Sequence, residues 1–192
     1  MEQRYNPTLH GIKLEWLHEF CREHGEIVDY RKGERLETEG EPTRWLAFVE
    51  QGCFKYTVMS SSGQERIVWF SFASEYAFNF GDLLDDGPAQ STIEAMMPSR
   101  VLRVSSEQAR QFFCQDMEHK KMAHHIILHL LRQFQNQYLE FYYPPQERYE
   151  RLLSRCPGIA NDLPLKDLAS FLNIQPQTLS KIRKSVTFGA EK

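Results

Sequence analysis

From Glu26 to Val104 the chain is built of short β-branched and aromatic runs cut by turn residues, and this texture constrains the fold more than any other feature. The runs are IVDYR before Lys32-Gly33, LETEG before Glu41-Pro42, WLAFVEQG, CFKYTVM before Ser60 to Gly63, RIVWFSF, STIEAM before Pro98, and RVLRVS. Runs of this kind bounded by turn residues are strands, and turns about every ten residues close antiparallel strands into a barrel or roll. Helical sequence precedes this zone. Leu9, Ile12, Leu14, Trp16, Leu17 and Phe20 predict a short amphipathic helix within residues 9–24, stopped at Gly25.

A chain of 192 residues suits one large domain or two small ones. With 41% hydrophobic and 26% charged residues it has the composition of a soluble globular protein. Its net charge of -3 gives no overall attraction to nucleic acid, so any such attraction is local. One stretch inverts the sign. Leu163 to Lys192 holds five basic residues (Lys166, Lys181, Arg183, Lys184, Lys192) against Asp167 and Glu191.

No run approaches bilayer length, and the N-terminus lacks the apolar core and cleavage site of a secretory signal. A cytoplasmic protein without membrane contact is expected. Cys21, Cys53, Cys114 and Cys156 are far apart with no C-x-x-C spacing, so buried thiols are expected. His125 and His129 have a metal-compatible spacing but no evident third ligand, and read as solvated histidines. No metal and no other cofactor is expected. Nor is an enzyme: there is no Ser-His-Asp set, metal quartet or phosphate-cradling glycine loop, and Asp82, Asp85 and Asp86 read as a polar turn.

Residues 107–142 predict one long helix. On it Ala123, Ile127, Leu130, Phe134, Tyr138 and Phe141 recur at steps of four and three, the spacing of a seam between paired helices. Met122, Ile126 and Leu131 widen the apolar arc, so the stripe can pack on the chain's own β-domain as well as on a partner. The expected dimer interface is Ala123, Ile127, Leu130, Phe134 and Tyr138. Pro144-Pro145 ends this helix, and a shorter one follows from Gln146 to Arg155.

After Pro157-Gly158, Leu165, Leu168, Ala169 and Leu172 line one face of a first short helix. Asn173 tolerates the left-handed backbone of a turn. Ile174 plugs between helices, Pro176 can open a second helix without its N–H, and Leu179, Ile182 and Val186 form that helix's buried face. Small Ala169 permits the close crossing of a helix-turn-helix. Gln177, Thr178, Ser180, Lys181, Arg183 and Lys184 remain outside, a set of amide, hydroxyl and cationic groups suited to base edges and phosphates. They are the expected DNA-binding residues. A plain helical hairpin with a solvated basic face is the alternative.

Taken in order, these segments resemble the Crp/Fnr family of bacterial regulators over nearly the full chain. EIVDYRKGERLETEGEPTRWLAFVEQGCFKYTV is similar to that family's opening strands, FGDLLDDGPAQSTIEAM to its phosphate-binding cassette, the long helix to its dimerisation helix, and QTLSKIRK to its recognition helix. The resemblance implies an α+β fold. A double-stranded β-helix (jelly-roll) sensor domain would span 1–106, a dimerisation helix 107–143, and a helix-turn-helix 144–192. It implies a cytoplasmic homodimeric transcription regulator on near-palindromic double-stranded DNA, with a small-molecule effector and RNA polymerase as further partners. The alternative is a ligand- or protein-binding sensor whose helix-turn-helix does not engage DNA.

The resemblance places the expected effector pocket at Gly81, Asp82, Gln90, Ser91, Thr92, Arg132 and Gln133. In cyclic-AMP-binding members a Gly-Glu pair holds the ribose, and an Arg followed by Ser neutralises the phosphate. Aligned on Asp86-Gly87, the Arg position holds Gln90, followed by Ser91. The Gly-Glu position falls on Asn79-Phe80 or, with the gap moved, on Gly81-Asp82, and the adenine-reading pair maps to Arg132 and Gln133. Gln cannot compensate a phosphate charge, so an effector other than cyclic AMP, or an empty pocket, is expected. Only Cys21 lies where oxygen-sensing members bind an iron–sulfur cluster, which leaves that role unsupported. Ser185 to Lys192 are too few for the family's β-hairpin wing, as in its shorter members.

Overall fold

The computed structural model describes residues 14–156 and 158–189, with side chains through Val186. The expectations placed on Leu9, Ile12, Pro157, Glu191 and Lys192 lie outside the described residues. Two compact units divide between Arg132 and Gln133.

The first unit is a β-roll. Its strands are β1 (Glu26–Tyr30), β2 (Arg35–Glu37), β3 (Trp45–Gln51), β4 (Cys53–Met59), β5 (Glu65–Phe72), β6 (Tyr76–Ala77), β7 (Thr92–Ala95) and β8 (Ser99–Ser105). They form two antiparallel four-stranded sheets in the orders β1-β8-β3-β6 and β2-β7-β4-β5. Alternation along each strand decides what is buried where. Ala47, Val49 and Val101 point inward to meet Phe54, Tyr56, Ile93 and Ala95 of the facing sheet. The intervening Leu46, Leu102 and Val104 point the other way, into a second core.

That second core is capped by helices: α1 (Glu15–His24), α2 (Phe80–Asp85), α3 (Ser106–Cys114) and the first part of α4 (Met117–Glu140). Leu17, Phe20 and Cys21 pack there with Phe80, Leu83, Phe113, Ala123 and Ile126. The predicted stop at Gly25 is in place, and close packing accounts for it. Its backbone is extended (φ -92°), but a Cβ would collide with the carbonyl of Cys21 and lie 2.9 Å from that of Arg103. Close approach, and no left-handed turn, requires glycine here. At Gly52 both conditions hold: φ is +96°, and a Cβ would run into Ser99.

Three expectations need correction. The single helix over 107–142 is two helices, because the Asp116 carboxylate accepts from the N–H groups of Glu118 (2.8 Å) and His119 (2.9 Å) and so starts α4 afresh. Asp82 and Asp85 lie on α2, and only Asp86, left-handed at φ 59°, belongs to a turn. Cys114 is exposed, whereas Cys21, Cys53 and Cys156 are buried, and all four are free thiols. Burial pushes the Cys21 thiol up to about 12, so it stays protonated and inert.

The second unit contains α5 (Pro145–Arg155), α6 (Ile159–Asp162), α7 (Leu165–Phe171) and α8 (Pro176–Gly189). Its buried hydrophobic residues are Tyr149, Leu152, Cys156, Ile159, Leu163, Leu168, Ala169, Phe171, Leu172, Leu179 and Ile182. Arg148 of α5 is itself buried and donates to the Leu172 carbonyl at the end of α7 (2.7 Å), satisfying a C-terminal acceptor that packing would otherwise strand. No helix among the described residues is long and apolar enough to cross a membrane.

Gly25→Ala tests the close approach. It is expected to destabilise the β-roll by about 1–3 kcal/mol in urea unfolding, and an unchanged midpoint would contradict the packing described.

Candidate functional site

The cassette runs from β6 through α2 to β7, and a chain of buried hydroxyls fixes its entry. Phe78 N–H donates to the Tyr56 hydroxyl (3.1 Å), which bonds to Ser71 Oγ (3.1 Å), which in turn donates to the Tyr76 carbonyl (2.9 Å). Burial pushes the Tyr56 phenol up to about 12, so it remains a neutral donor.

The cassette's own polar groups are then spent on each other. Ser91 Oγ donates to Asn79 Oδ1 (2.7 Å), and Asn79 Nδ2 donates back to the Ser91 carbonyl (3.1 Å). Gln90 N–H, a donor that could face an anion, is taken by the Asp82 carboxylate (3.1 Å). Thr92 Oγ1 accepts from Glu39 N–H (3.0 Å). Between Asn79 and Thr92 there are three aspartates and no basic residue. Arg110 of α3 comes near, but it is engaged by Asp86 (2.9 Å), Glu107 (3.0 Å) and the Leu83 carbonyl (3.2 Å).

Of the expected pocket residues, the structure therefore brings Asp82 to Gln90, and seats Ser91 and Thr92 as buried structural groups. Gly81 is exposed. Arg132 and Gln133 are neighbours on α4, the one exposed and the other buried, and they fall in different units. Of the Asn79-Phe80 alignment for the Gly-Glu pair, Asn79 is the partner of Ser91 and Phe80 is buried in the core.

The α4 stripe also divides. Ala123 is buried in the roll's own core, and Leu130 packs against it. Among the large apolar residues left in water, Ile127 (41% exposed), Leu131 (50%), Phe134 (56%), Tyr138 (60%) and, just past the helix end, Phe141 (47%) form one ridge, while Met117, Leu128 and Leu139 are exposed outside it. The steps along the ridge are four, three, four and three, an unbroken 3.5-residue repeat. Leu131 thus replaces Leu130 in the exposed ridge, and Ala123 drops out of it.

On the α7–α8 pair, Asn173 is left-handed (φ 52°), as the turn reading requires. Gln177, Thr178, Lys181 and Lys184 are exposed and Ser180 is half-buried. Spacings of four and three put Gln177, Lys181 and Lys184 on one ridge. Arg183 departs from the expectation: its Nη2 donates to the Ala160 carbonyl of α6 (2.8 Å), which ties it to the fold. The helical period carries it round toward Leu179 and away from the polar ridge. α8 contains no acid.

Residues 27–116 match the cyclic nucleotide-binding domain. A search of curated proteins finds no match to the sequence. Among solved structures the chain is similar to FixK2 from Bradyrhizobium japonicum, with 18% identity, a TM-score of 0.75 and 86% of each chain covered. It is also similar to the catabolite activator protein of Thermus thermophilus, with 18% identity and a TM-score of 0.56 over 96% of this chain and 88% of that one. A third is CLP of Xanthomonas campestris, described as a c-di-GMP-responsive global regulator, with 12% identity and a TM-score of 0.63 over 93% of each chain. At these identities the likeness establishes the fold.

Cyclic AMP is expected to give no binding heat in titration calorimetry, because its phosphate would meet Asp82 and Asp85 while the nearby cation, Arg110, is already engaged by Asp86 and Glu107. Micromolar affinity would overturn this reading of the cassette. Asn79→Ala, which orphans the buried Ser91 hydroxyl, is expected to cost about 1–3 kcal/mol in unfolding.

Proposed function

We propose that the chain is a DNA-binding transcription regulator of the Crp/Fnr type, acting as a homodimer on a near-palindromic site. The observation that carries this is the exposed ridge Gln177, Lys181, Lys184 on an acid-free helix, in a chain whose net charge is -3. A basic face on an otherwise acidic protein concentrates attraction to phosphate at one surface.

In this reading α7 and α8 are the helix-turn-helix, and α8 enters the major groove. Gln177 reads adenine through its amide and Lys181 reaches guanine. Thr178, Ser180 and Lys184 hold phosphates, while Arg183 braces the helix against α6. Two copies pair through Ile127, Leu131, Phe134, Tyr138 and Phe141, which withdraws that ridge from water. The paired recognition helices then meet successive major-groove turns about 34 Å apart. The β-roll biases the dimer through an effector other than cyclic AMP, and the regulator works in the cytoplasm alongside RNA polymerase.

Base reading and phosphate holding respond differently to substitution. Gln177→Ala is expected to cost about 1–3 kcal/mol and relax the preference at one base position, whereas Lys184→Ala weakens all sequences nearly equally and lowers the salt slope by about one per subunit. The check is an operator-library binding assay across a salt series. If both variants give the same uniform loss, the assignment of roles is wrong. If neither alters binding, the helix is not a reader, and the chain is a sensor module without DNA contact. Separately, Phe134→Glu is expected to convert dimers to monomers in sedimentation at micromolar concentration, and a monomeric wild type would contradict the pairing.

A further inference from the structure

Counting back from Ile127 along the exposed ridge by the same steps reaches His124 and then Lys120. Both are exposed on α4, with Lys121 exposed alongside. The ridge is therefore apolar toward its C-terminal end and carries His124 and the Lys120 cation toward its N-terminal end. Lys120 and Lys121 have no ion-pair partner among the described residues, and the stretch from His119 to Tyr138 contains no acid. The nearest acid on α4, Glu118, lies two residues before Lys120 and so about 160° round the helix from it, and three before Lys121, about 60° round, without pairing with it. Asp116, which precedes α4, is already engaged by His119 Nδ1 (2.9 Å) and by two N–H groups.

An unpaired cationic patch on a lone helix is an ordinary solvated surface. It ceases to be one if the ridge is a two-fold seam, because each cation is then brought opposite its own copy. The next layer along the seam, Ile127, excludes water that would screen them. Paired helix axes lie about 8–10 Å apart, which leaves room between the side chains for a small anion and none for a duplex or a bilayer. Like charges held at such a distance repel, and a multivalent anion that bridges them converts the repulsion into attraction.

We propose that the N-terminal part of the α4 seam is a binding site for a small multivalent oxyanion, a compound bearing several phosphate groups, built from Lys120, Lys121 and His124 of both copies. The inference rests on the dimer reading above, since neither copy makes the site alone. It is separate from the cassette, which presents aspartates and spent donors. Because the anion binds only the dimer, it tightens the dimer by linkage, by about tenfold when present at ten times its dissociation constant.

The test is sedimentation equilibrium of the full chain with inorganic tripolyphosphate, ionic strength being matched with chloride and, in a further arm, with sulfate. Wild type is expected to dimerise about tenfold more tightly in tripolyphosphate than in either control. The double variant Lys120→Gln, His124→Gln is expected to dimerise at least as tightly as wild type in chloride and to show no response to tripolyphosphate. A dimer indifferent to tripolyphosphate overturns the anion site and leaves the seam standing. Equal tightening by sulfate, or a response that survives in the double variant, also overturns it. Wild type that stays monomeric in every buffer removes the seam and the site together.

Discussion

α4 carries apolar side chains on two sides of one cylinder, and most of what is proposed for this chain follows from that. Ala123 and Ile126 are consumed by the roll's own core, while Ile127, Leu131, Phe134 and Tyr138 stand in water roughly a quarter-turn away. Fully burying a side chain of this size contributes about 1.5–3 kcal/mol. A contiguous ridge of them left exposed is what an association surface presents. The 3.5-residue repeat narrows the fitting partner to another helix, and a second copy supplies one without any further assumption.

Charge is segregated with similar economy. The cassette gathers Asp82, Asp85 and Asp86 and ties the Gln90 N–H to a carboxylate of its own. The α8 ridge and the stretch of α4 from His119 to Tyr138 hold cations without acids among them. Within residues 27–116, which match the cyclic nucleotide-binding domain, Asn79, Asp82, Gln90 and Ser91 are thus engaged in internal bonds. In the second unit, Arg148 and Arg183 are cations of another kind, spent on the carbonyls of Leu172 and Ala160 to hold the helices in place.

Much of this was legible in the sequence where the pattern is local. Seven of the strands announce themselves because turn residues bound each run, and Asn173 and Pro176 mark the turn between α7 and α8. β6 escaped because two residues carry no period, and α2 because its aspartates read as a turn. The break between α3 and α4 was legible in Asp116, a capping residue, but apolar residues on both sides of it suggested one continuous helix. Arg183 was equally legible, since the helical period sets it beside Leu179. The choice between Leu130 and Leu131 was not, because both are apolar and only the position of the roll decides which is covered. Nor was the Asn79–Ser91 pair, whose members are 12 residues apart and meet only after β6 and β7 are in place.

The central claim is that two copies of α8 read DNA together. Hydroxyl-radical footprinting of genomic fragments selected by the wild-type chain tests it most directly. The account predicts two protected patches related by two-fold symmetry, with centres one helical turn, about 34 Å, apart on the same face of the duplex. A single asymmetric patch, or selection that returns no common sequence, would contradict it.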